Sequence, residues 1–346
     1  MAFHTLTISD VRPVAEDAVS VAFDVPEAAQ DAFSYRPGQF LTLRAEVEGE
    51  DIRRSYSIAS GPNAALSVGI RAVDHGRFSQ FAQTLAPGAQ LQVMPPEGRF
   101  QLHDEKRLLL IAAGSGITPM MAIARAALDE GAEVTLVYGN RHMGSIMFRE
   151  EIDALKDAHL DRFTVIHVLS REAQDVALLN GRVDGEKVSN LAEHGLIAPE
   201  RADGVFLCGP GGMIDGVEAA LVASGVERGR IHHERFTADG TPPAERLAAV
   251  RPEGVEVRIV LDGAEKRFTL APEDAGLVDA AARQGIELPY SCKGGMCCTC
   301  RCKIVSGSAE LPVNYSLEPW EIEEGFTLAC QARPTDTALT LDFDAA

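Results

Sequence analysis

The sequence has 346 residues, of which 46% are hydrophobic and 24% charged, so it is long enough for two or three domains with well-formed cores. Its 51 acidic and 32 basic side chains give a formal net charge of −19, which disfavours nucleic acid and anionic membrane surfaces as partners. No secretory signal is evident, and glycine and proline interrupt the long uncharged run 108–124, so we expect a cytoplasmic protein without a membrane span.

Short β segments occupy the first hundred residues and are separated by Pro-Gly turns at 37–38 and 87–88. This spacing predicts a small antiparallel β-barrel domain over residues 1–104. The predicted strands are residues 3–11, 19–25, 39–47, 53–60, 65–73 and 89–98.

Strands alternate with helices over residues 105–236, which is typical of an α/β domain with a parallel sheet covered on both faces. Helices are predicted from about residue 117 and over residues 145–158, 185–195 and 211–225. The predicted strands are residues 107–114, 133–140, 163–170, 204–210 and 231–236.

A third module is predicted over residues 254–346, after a proline-containing linker over residues 237–253. Its predicted elements are a hairpin at 255–263 and 266–271, a helix at 277–285, and strands at 301–307 and 338–344. The expected fold is therefore multidomain.

Six of the seven cysteines lie within 39 residues of this third module. Cys292, Cys297 and Cys300 form C-x4-C-x2-C, and Cys330 follows 30 residues later, which is the spacing of plant-type [2Fe–2S] ferredoxins. The alternatives are buried free thiols or a structural zinc, but zinc usually takes two CxxC knuckles. Cys298 and Cys302 do not fit ligand positions. The pattern favours an iron–sulfur cluster held by four cysteines.

The barrel carries three short motifs whose side chains suit a flavin dinucleotide. Such a cofactor needs an arginine for its pyrophosphate, an aromatic face, a hydroxyl near the ring and a helix N-terminus for phosphate. Taken singly, the arginine could be a surface charge and the tyrosine a core residue. The candidates are Arg54, Tyr56 and Ser57, then Gly69, Ile70 and Arg71, and then Arg77, Phe78 and Ser79.

Two tight turns between a strand and a helix lie in the second module, at 114–119 and 208–210. Turns of this kind direct backbone amides at a dinucleotide pyrophosphate. Pro119 stands where the third glycine of GxGxxG would fall, so ordinary strand-to-helix turns are the alternative. The candidate residues are Gly114, Ser115, Gly116 and Thr118 in the first turn and Cys208, Gly209 and Pro210 in the second.

The motifs RxYS, GSGITP, YGNR and CGP, in this order, resemble the ferredoxin–NADP reductase superfamily over about 235 residues. With the cysteine module, the chain resembles the one-chain electron donors of bacterial oxygenases. The runs FHTLTI, HHERF, LPYSCKGG and NYSLEPWEIEEGF are similar to the reductase subunits of phenylacetyl-CoA epoxidases. The resemblance implies FAD, NADPH and a [2Fe–2S] cluster in a β-grasp ferredoxin domain, and an oxygenase partner.

The resemblance also implies roles for individual residues. Arg54 would bind the FAD pyrophosphate, Ser57 would lie near the flavin ring, and Thr118 would lie where flavin and nicotinamide meet. Cys208 would approach the nicotinamide, although a small buried thiol is the alternative. Further implied roles are a flavin cap formed by Glu234 and Phe236, and a grip on the NADP 2′-phosphate by Ser170 and Arg171.

The YGNR segment lacks the acidic residue expected beside an NAD ribose, and a guanidinium suits phosphate, so NADPH is favoured over NADH. Glu172 beside Arg171 argues in the other direction.

A flavin converts the two electrons of NADPH into single electrons for a cluster, so we expect an electron relay. The motif E-x-x-H is typical of di-iron oxygenases, and the sequence does not contain it. The oxygenase should therefore be another polypeptide. Residues 254–346 carry 15 acidic and 8 basic side chains, which suggests docking on a basic surface. The alternatives are a stand-alone flavin reductase, a redox sensor, or the same relay serving an aromatic-ring or 3-ketosteroid hydroxylase.

Overall fold

The computed structural model describes residues 3–236 and 254–345. The described residues divide into two compact units: an N-terminal unit, residues 3–236, and a C-terminal unit, residues 254–345. The predicted linker, residues 237–253, lies outside the described residues. No helix in the described ranges has the length and apolar character needed to cross a bilayer.

Six antiparallel strands form the first sheet of the N-terminal unit, in the order β4-β3-β6-β1-β2-β5. The two outer strands meet through a bridge between Ile58 and Val68, which closes the sheet as the strand spacing predicted. Alternate side chains such as Leu41 and Leu43 fill its interior, as the period of two requires. The elements are β1 (His4–Ala15), β2 (Ala18–Asp24), β3 (Phe40–Val47), β4 (Glu50–Ser57), β5 (Ser67–Arg71), α1 (Arg77–Ala82) and β6 (Gln90–Val93).

Five parallel strands form the second sheet of this unit, in the order β11-β10-β7-β8-β9. The central strand is apolar over 108–112 and buried, because helices cover both faces of such a sheet. The strands are β7 (Arg107–Ala113), β8 (Glu133–Asn140), β9 (Phe163–Leu169), β10 (Gly204–Gly209) and β11 (Ile231–Arg235). The helices are α2 (Ile117–Asp129), α3 (Arg149–Ala158), α4 (Gly185–Glu193) and α5 (Gly211–Ala223).

The prediction of a helix over residues 145–158 was wrong at its beginning, since α3 starts at Arg149. Phe148 has a φ of 58°, a left-handed conformation that a helix does not continue through. Its buried ring approaches β5, where a Cβ added to Gly69 would lie 2.8 Å from Phe148 Cζ. Packing against the barrel therefore outweighs the helical pattern before residue 149.

The C-terminal unit contains a five-stranded sheet in the order β13-β12-β18-β14-β16. The pair β12–β18 is parallel and the other pairs are antiparallel, while the buried side chains of α6 belong to the core that the sheet surrounds. This is the expected α+β arrangement. Its elements are β12 (Val255–Leu261), β13 (Ala264–Leu270), α6 (Leu277–Arg283), β14 (Arg301–Ser306), β15 (Ala309–Glu310), α7 (Pro319–Glu323), β16 (Phe326–Leu328), β17 (Arg333–Pro334) and β18 (Ala338–Asp342).

Candidate functional site

A hydrogen bond joins the barrel to the α/β sheet at the centre of the N-terminal unit. Ser57, the last residue of β4, donates from Oγ to Glu234 Oε2 on β11 at 2.9 Å. Burial raises the pKa of Glu234 to about 7, and the Ser57 hydrogen bond opposes that shift. The Glu234 carboxyl can therefore hold or release a proton near neutral pH.

Cys208 lies on β10 directly beside Glu234, because β10 and β11 are parallel and these two residues are paired. Its thiol is fully buried. Burial, and then the Glu234 charge, raise the pKa of Cys208 well above its usual value, so the thiol stays protonated. Glu234 therefore adjoins both Ser57 and Cys208, and these are the three residues that the sequence offered as catalytic candidates at the flavin and the nicotinamide.

The turn at residues 114–116 packs tightly against the end of β10. A Cβ added to Gly116 would lie 2.0 Å from the backbone oxygen of Cys208, so only glycine fits there. Thr118 lies in the first turn of α2 and donates from Oγ1 to Ser115 O at 2.9 Å. The amides that open α2 are therefore held at the carboxyl edge of the sheet, where parallel sheets bind nucleotides.

Gly69 brings the barrel against the same turn. A Cβ at this position would lie 2.6 Å from Thr118 Cγ2, so β5 and α2 are in direct contact. Ile70 points its side chain into the barrel core, which leaves only its backbone available to a ligand. The predicted flavin-binding residues of β5 therefore lie next to the predicted nicotinamide-binding turn.

Strand alternation places Arg54 and Tyr56 on one face of β4. The Arg54 side chain is exposed and donates to Arg53 O at 2.7 Å. The Tyr56 ring lies 5.7 Å from the buried ring of Phe78. This face offers a cation and a half-exposed aromatic ring, as a flavin dinucleotide requires.

Two predicted FAD arginines are engaged by carboxylates. Arg71 Nε lies 3.0 Å from Asp17 Oδ1, and its Nη1 lies close to Gly114, so it supports the glycine turn. Arg77 is paired with Glu48 at 3.1 Å and with Glu50 on the β3–β4 hairpin. Arg77 can bind FAD, as its motif predicted, only if these two ion pairs break.

Ser79 bonds locally, accepting from Val73 N at 3.1 Å and donating to Gly76 O at 2.8 Å. These contacts stabilise the start of α1. Phe236 is half-buried against the α/β core. Gly209 and Pro210 form the turn into α5, which begins at Gly211.

Ser170 and Arg171 follow β9 at the carboxyl edge of the parallel sheet, and both are exposed. Their backbone amides donate to Asn140 O and Arg141 O, which fixes the loop beside the end of β8. The carboxylate of Glu172 accepts from the amide of Met143 at 2.8 Å. Its charge is therefore engaged by the backbone.

Tyr138 was not identified as a site residue, although its YGNR motif was noted. Its fully buried hydroxyl donates to Gly114 O at 2.8 Å and accepts from Met147 N at 3.3 Å. The Tyr138 hydroxyl therefore fixes the glycine turn at residues 114–116 through a hydrogen bond. A tyrosine directly after the apolar pair Leu136 and Val137 was the available signal, because a buried hydroxyl needs a partner.

In the C-terminal unit, the four predicted ligand cysteines form two pairs of free thiols. Cys292 is hydrogen-bonded to Cys297, and Cys300 to Cys330. The Cys297 thiol, and then backbone amides that include Gly294 N at 3.3 Å, lower the pKa of Cys292 although burial opposes them. These groups favour the thiolate, the form that binds iron.

Gly295 shapes the loop that carries these thiols, and its φ is +77°. A Cβ added at this position would lie 2.9 Å from Val313 O, so a larger residue does not fit. Gln331 Nε2 donates to Lys293 O at 2.7 Å, which ties this loop to the segment of the fourth cysteine. The backbone therefore surrounds the thiols closely, as a cluster requires.

Within residues 3–236 and 254–345, no three His, Cys, Asp or Glu side chains converge to bind a single metal ion. A [2Fe–2S] cluster does not need such a group, because its four cysteines are shared between two irons. The two thiol pairs therefore fit the cluster better than they fit one zinc ion.

Cys298 and Cys302 were predicted to lie outside the ligand set. Cys298 is half-buried in a left-handed conformation, with a φ of 57°. Cys302 is fully buried on β14, and burial raises its pKa far above the usual value.

Three family models match the chain in sequence. An oxidoreductase FAD-binding domain matches residues 5–102, an oxidoreductase NAD-binding domain residues 110–219, and a 2Fe-2S iron-sulfur cluster binding domain residues 259–335.

Whole-length relatives agree with this order of domains. A subunit of the 1,2-phenylacetyl-CoA epoxidase of Escherichia coli (strain K12) is 43% identical, covering 99% of this chain and 98% of the relative. The ferredoxin reductase component of the 3-ketosteroid-9-alpha-monooxygenase of Rhodococcus rhodochrous is 36% identical, covering 98% of this chain and 96% of that one. The chain belongs to the family of oxygenase reductase components.

A member of this family is an NAD(P)H-dependent oxidoreductase, and this reductase has domains for FAD, a nicotinamide nucleotide and a [2Fe–2S] cluster. The solved structure of phthalate dioxygenase reductase shares its fold, with a TM-score of 0.62 at 22% identity, covering 99% of this chain and 98% of that chain. The predicted fold class and the three kinds of cofactor are confirmed. The domain boundaries, the roles of single residues and the choice of NADPH stay predictions.

Proposed function

We propose that this reductase transfers electrons from NADPH to the oxygenase of a phenylacetyl-CoA epoxidase. The observation that carries the proposal is the 43% identity, over 99% of the chain, to the subunit of the Escherichia coli 1,2-phenylacetyl-CoA epoxidase. Bound FAD would supply the conversion of a two-electron donor into single electrons, which the [2Fe–2S] cluster would carry.

The flavin site that we propose lies where β4, β5 and the start of α2 meet. Arg54 and Tyr56 share one face of β4, and Ser57 ends that strand at its bond to Glu234. Arg54 would bind the pyrophosphate, and Tyr56 would pack against the ring. Because Gly69 has no Cβ beside Thr118, the flavin and nicotinamide sites can approach each other.

Glu234 is proposed to hold the proton at this junction. Its pKa of about 7 leaves the carboxyl near half protonation at neutral pH, and Ser57 connects it to the flavin side by a 2.9 Å hydrogen bond. The neighbouring Cys208 thiol stays neutral because it is buried. A neutral thiol places no second negative charge beside Glu234.

NADPH is proposed over NADH because of Arg171. Among the residues that the structure describes, no carboxylate forms an ion pair with its exposed guanidinium. Glu172, the neighbour that argued for NADH, is occupied by the Met143 amide. A free guanidinium after β9 suits a 2′-phosphate, which it can bind with two hydrogen bonds.

Steady-state kinetics with both nucleotides test this preference. We expect Arg171→Ala to raise the KM for NADPH about tenfold, the cost of one charge-assisted hydrogen bond, and to leave the KM for NADH within about twofold. Arg201→Ala is the matched control, because Arg201 is exposed at the opposite, amino-terminal edge of the sheet, before β10. An unchanged KM for NADPH in Arg171→Ala contradicts the assignment.

The partner is tested by reconstitution. The purified chain is mixed with NADPH and, separately, with the oxygenase of a phenylacetyl-CoA epoxidase, a 3-ketosteroid hydroxylase and an aromatic-ring hydroxylase. We expect product formation coupled to NADPH consumption with the phenylacetyl-CoA enzyme. Coupled turnover with only one of the other two oxygenases contradicts the choice of partner while leaving the relay intact.

A further inference from the structure

Helix α7 of the C-terminal unit exposes two large apolar side chains. Trp320 is 53% exposed and Ile322 is 46% exposed. They are two of the seven large apolar residues that are exposed in the described ranges, yet they lie on one helix of five residues. Trp320 is also the single tryptophan of the chain. Residues two apart on a helix point to different sides of it, so the exposed Trp320 ring is the main apolar feature of this surface, and an exposed ring of this size marks a candidate interaction site.

The helix is anchored by a buried ion pair. The Glu321 side chain is fully buried and accepts from Arg301 Nε at 2.8 Å. The guanidinium of Arg301 also stacks on the Phe326 ring, with Cζ 3.6 Å from the ring centroid. Because Glu321 points inward, its neighbours Trp320 and Ile322 are held outward in a fixed orientation.

This helix is joined to the cluster loop at two points. Arg301 directly follows the ligand residue Cys300 in sequence. The segment before α7 contacts the loop itself, since Tyr315 N and Ser316 Oγ both donate to Gly295 O, at 3.0 and 3.1 Å. A protein bound to α7 would therefore lie beside the four thiols, and electron transfer requires such closeness because its rate falls steeply with distance.

The charged side chains that adjoin the two apolar residues along the chain are acidic, while Arg301 and Lys303 lie over the Phe326 ring of β16. Glu318, Glu323 and Glu324 are exposed around them, and the sequence has no basic residue from 304 to 332. An occupant of this surface must therefore bring cationic side chains to its rim, as electrostatic complementarity requires.

We propose that α7 is the surface on which the oxygenase component docks to receive electrons, and that the oxygenase presents an apolar pocket ringed by Lys and Arg side chains. The inference rests on the proposed function and names the partner's contact site. Trp320 is the central anchor, since a tryptophan surrounded by polar groups is a common binding hot spot.

Charge disfavours two other occupants. A second copy of the chain would bring α7 against α7 in a two-fold interface and oppose glutamates to glutamates. The rest of this chain, residues 1–253, carries 36 acidic and 24 basic side chains, so it is a poor electrostatic match as well. A basic partner polypeptide is the occupant that the charges favour.

The test measures coupled product formation as a function of reductase concentration, with the phenylacetyl-CoA epoxidase oxygenase held fixed. We expect Trp320→Ala to raise the apparent KM for the reductase about tenfold or more and to leave the reduction of the cluster by NADPH within about twofold. A variant with both Glu323→Gln and Glu324→Gln should raise the KM at low ionic strength and lose that effect at high salt. Absorbance of the bound cluster checks that each variant folds.

Leu160→Ala and Glu256→Gln are the matched controls, because both residues are exposed and neither lies on α7. Unchanged KM values in both α7 variants overturn the docking proposal. Slower cluster reduction by NADPH in Trp320→Ala, with an unchanged KM, overturns it also, since α7 would then serve its own chain. Loss of a dimer in Trp320→Ala overturns it in favour of a second copy. If the wild-type chain supports no turnover with this oxygenase, the proposed function has failed, and the docking proposal falls with it.

Discussion

Gly116→Ala tests whether the close contact between the glycine turn and β10 builds the nucleotide site. The added Cβ would lie 2.0 Å from Cys208 O and 2.5 Å from Cys208 C. Both partners are backbone atoms, so no side-chain rotation relieves the overlap. The turn and the strand must separate by roughly 1 Å to reach a tolerable distance.

The expected cost follows from that separation. Overpacking of a rigid interior costs about 1–3 kcal/mol, and we take about 2 kcal/mol. For a unit the size of residues 3–236, this lowers the melting temperature by about 4–8 °C. Because Thr118 and the opening amides of α2 move with the turn, flavin reduction at saturating NADPH should slow by about 10²-fold, the effect of a misplacement of about 1 Å.

The assay is stopped-flow bleaching of the flavin by NADPH, together with thermal unfolding. Gly212→Ala is the matched control, because Gly212 also opens a helix after a strand of the same sheet but a Cβ there meets nothing within 4 Å. If Gly116→Ala melts and bleaches like Gly212→Ala, the contact with Cys208 does not position the site, and the reasoning is refuted.

Three further predictions concern protons and the cluster loop. The pKa of Glu234 rises from 4.5 to about 7 on folding. Its contribution to the free energy of unfolding is therefore fully present below pH 4.5 and is lost as the pH rises through 7. Glu234→Gln should remove this loss of stability, which is about 3 kcal/mol at most, in urea unfolding followed from pH 4.5 to 8. Ser57→Ala removes the hydrogen bond that lowers the pKa of Glu234, so the midpoint of the pH profile of flavin reduction should move above 7, and a midpoint that stays in place would count against the assignment. Gly295→Ala should abolish cluster incorporation, measured by visible absorbance, whereas Gly263→Ala should retain it. Both glycines have a positive φ, but of the two only Gly295 lacks space for a Cβ. Equal cluster content in the two variants would show that the loop can adapt.

The sheets were predictable from the sequence because their signals are local. Alternating apolar residues in 39–47 and the continuous apolar run 108–112 each report which faces of a strand are buried. The cysteine spacing likewise identifies four ligands without knowledge of the fold. The resemblance to oxygenase reductases added the oxygenase partner and the roles of single residues, which local patterns alone do not specify.

Long-range contacts were outside the reach of the sequence. The Ser57–Glu234 hydrogen bond joins residues 177 positions apart, and only the closing of two sheets brings them together. Arg77 looked like a phosphate ligand in its motif, yet the β3–β4 hairpin supplies two carboxylates that bind it. Phe148 carries a helical pattern but leaves the helix because its ring packs near Gly69.

The short helix α7 was not predicted from the sequence, for a different reason. Helix α7 spans five residues, too few for an apolar period to appear, and it is held by the buried Glu321–Arg301 pair. A glutamate in an acidic run gives no sign of being buried. The surface that α7 presents could therefore be identified only from the structure.

The central claim is that electrons leave this chain through the [2Fe–2S] cluster, and Cys297→Ser tests it most directly. The measurement is product formation from phenylacetyl-CoA with the oxygenase and NADPH, compared with Cys298→Ser, the adjacent thiol outside the ligand set. We predict that Cys298→Ser supports product formation like the wild type, and that Cys297→Ser falls to background while still reducing ferricyanide from NADPH. Equal product formation by the two variants would contradict the account.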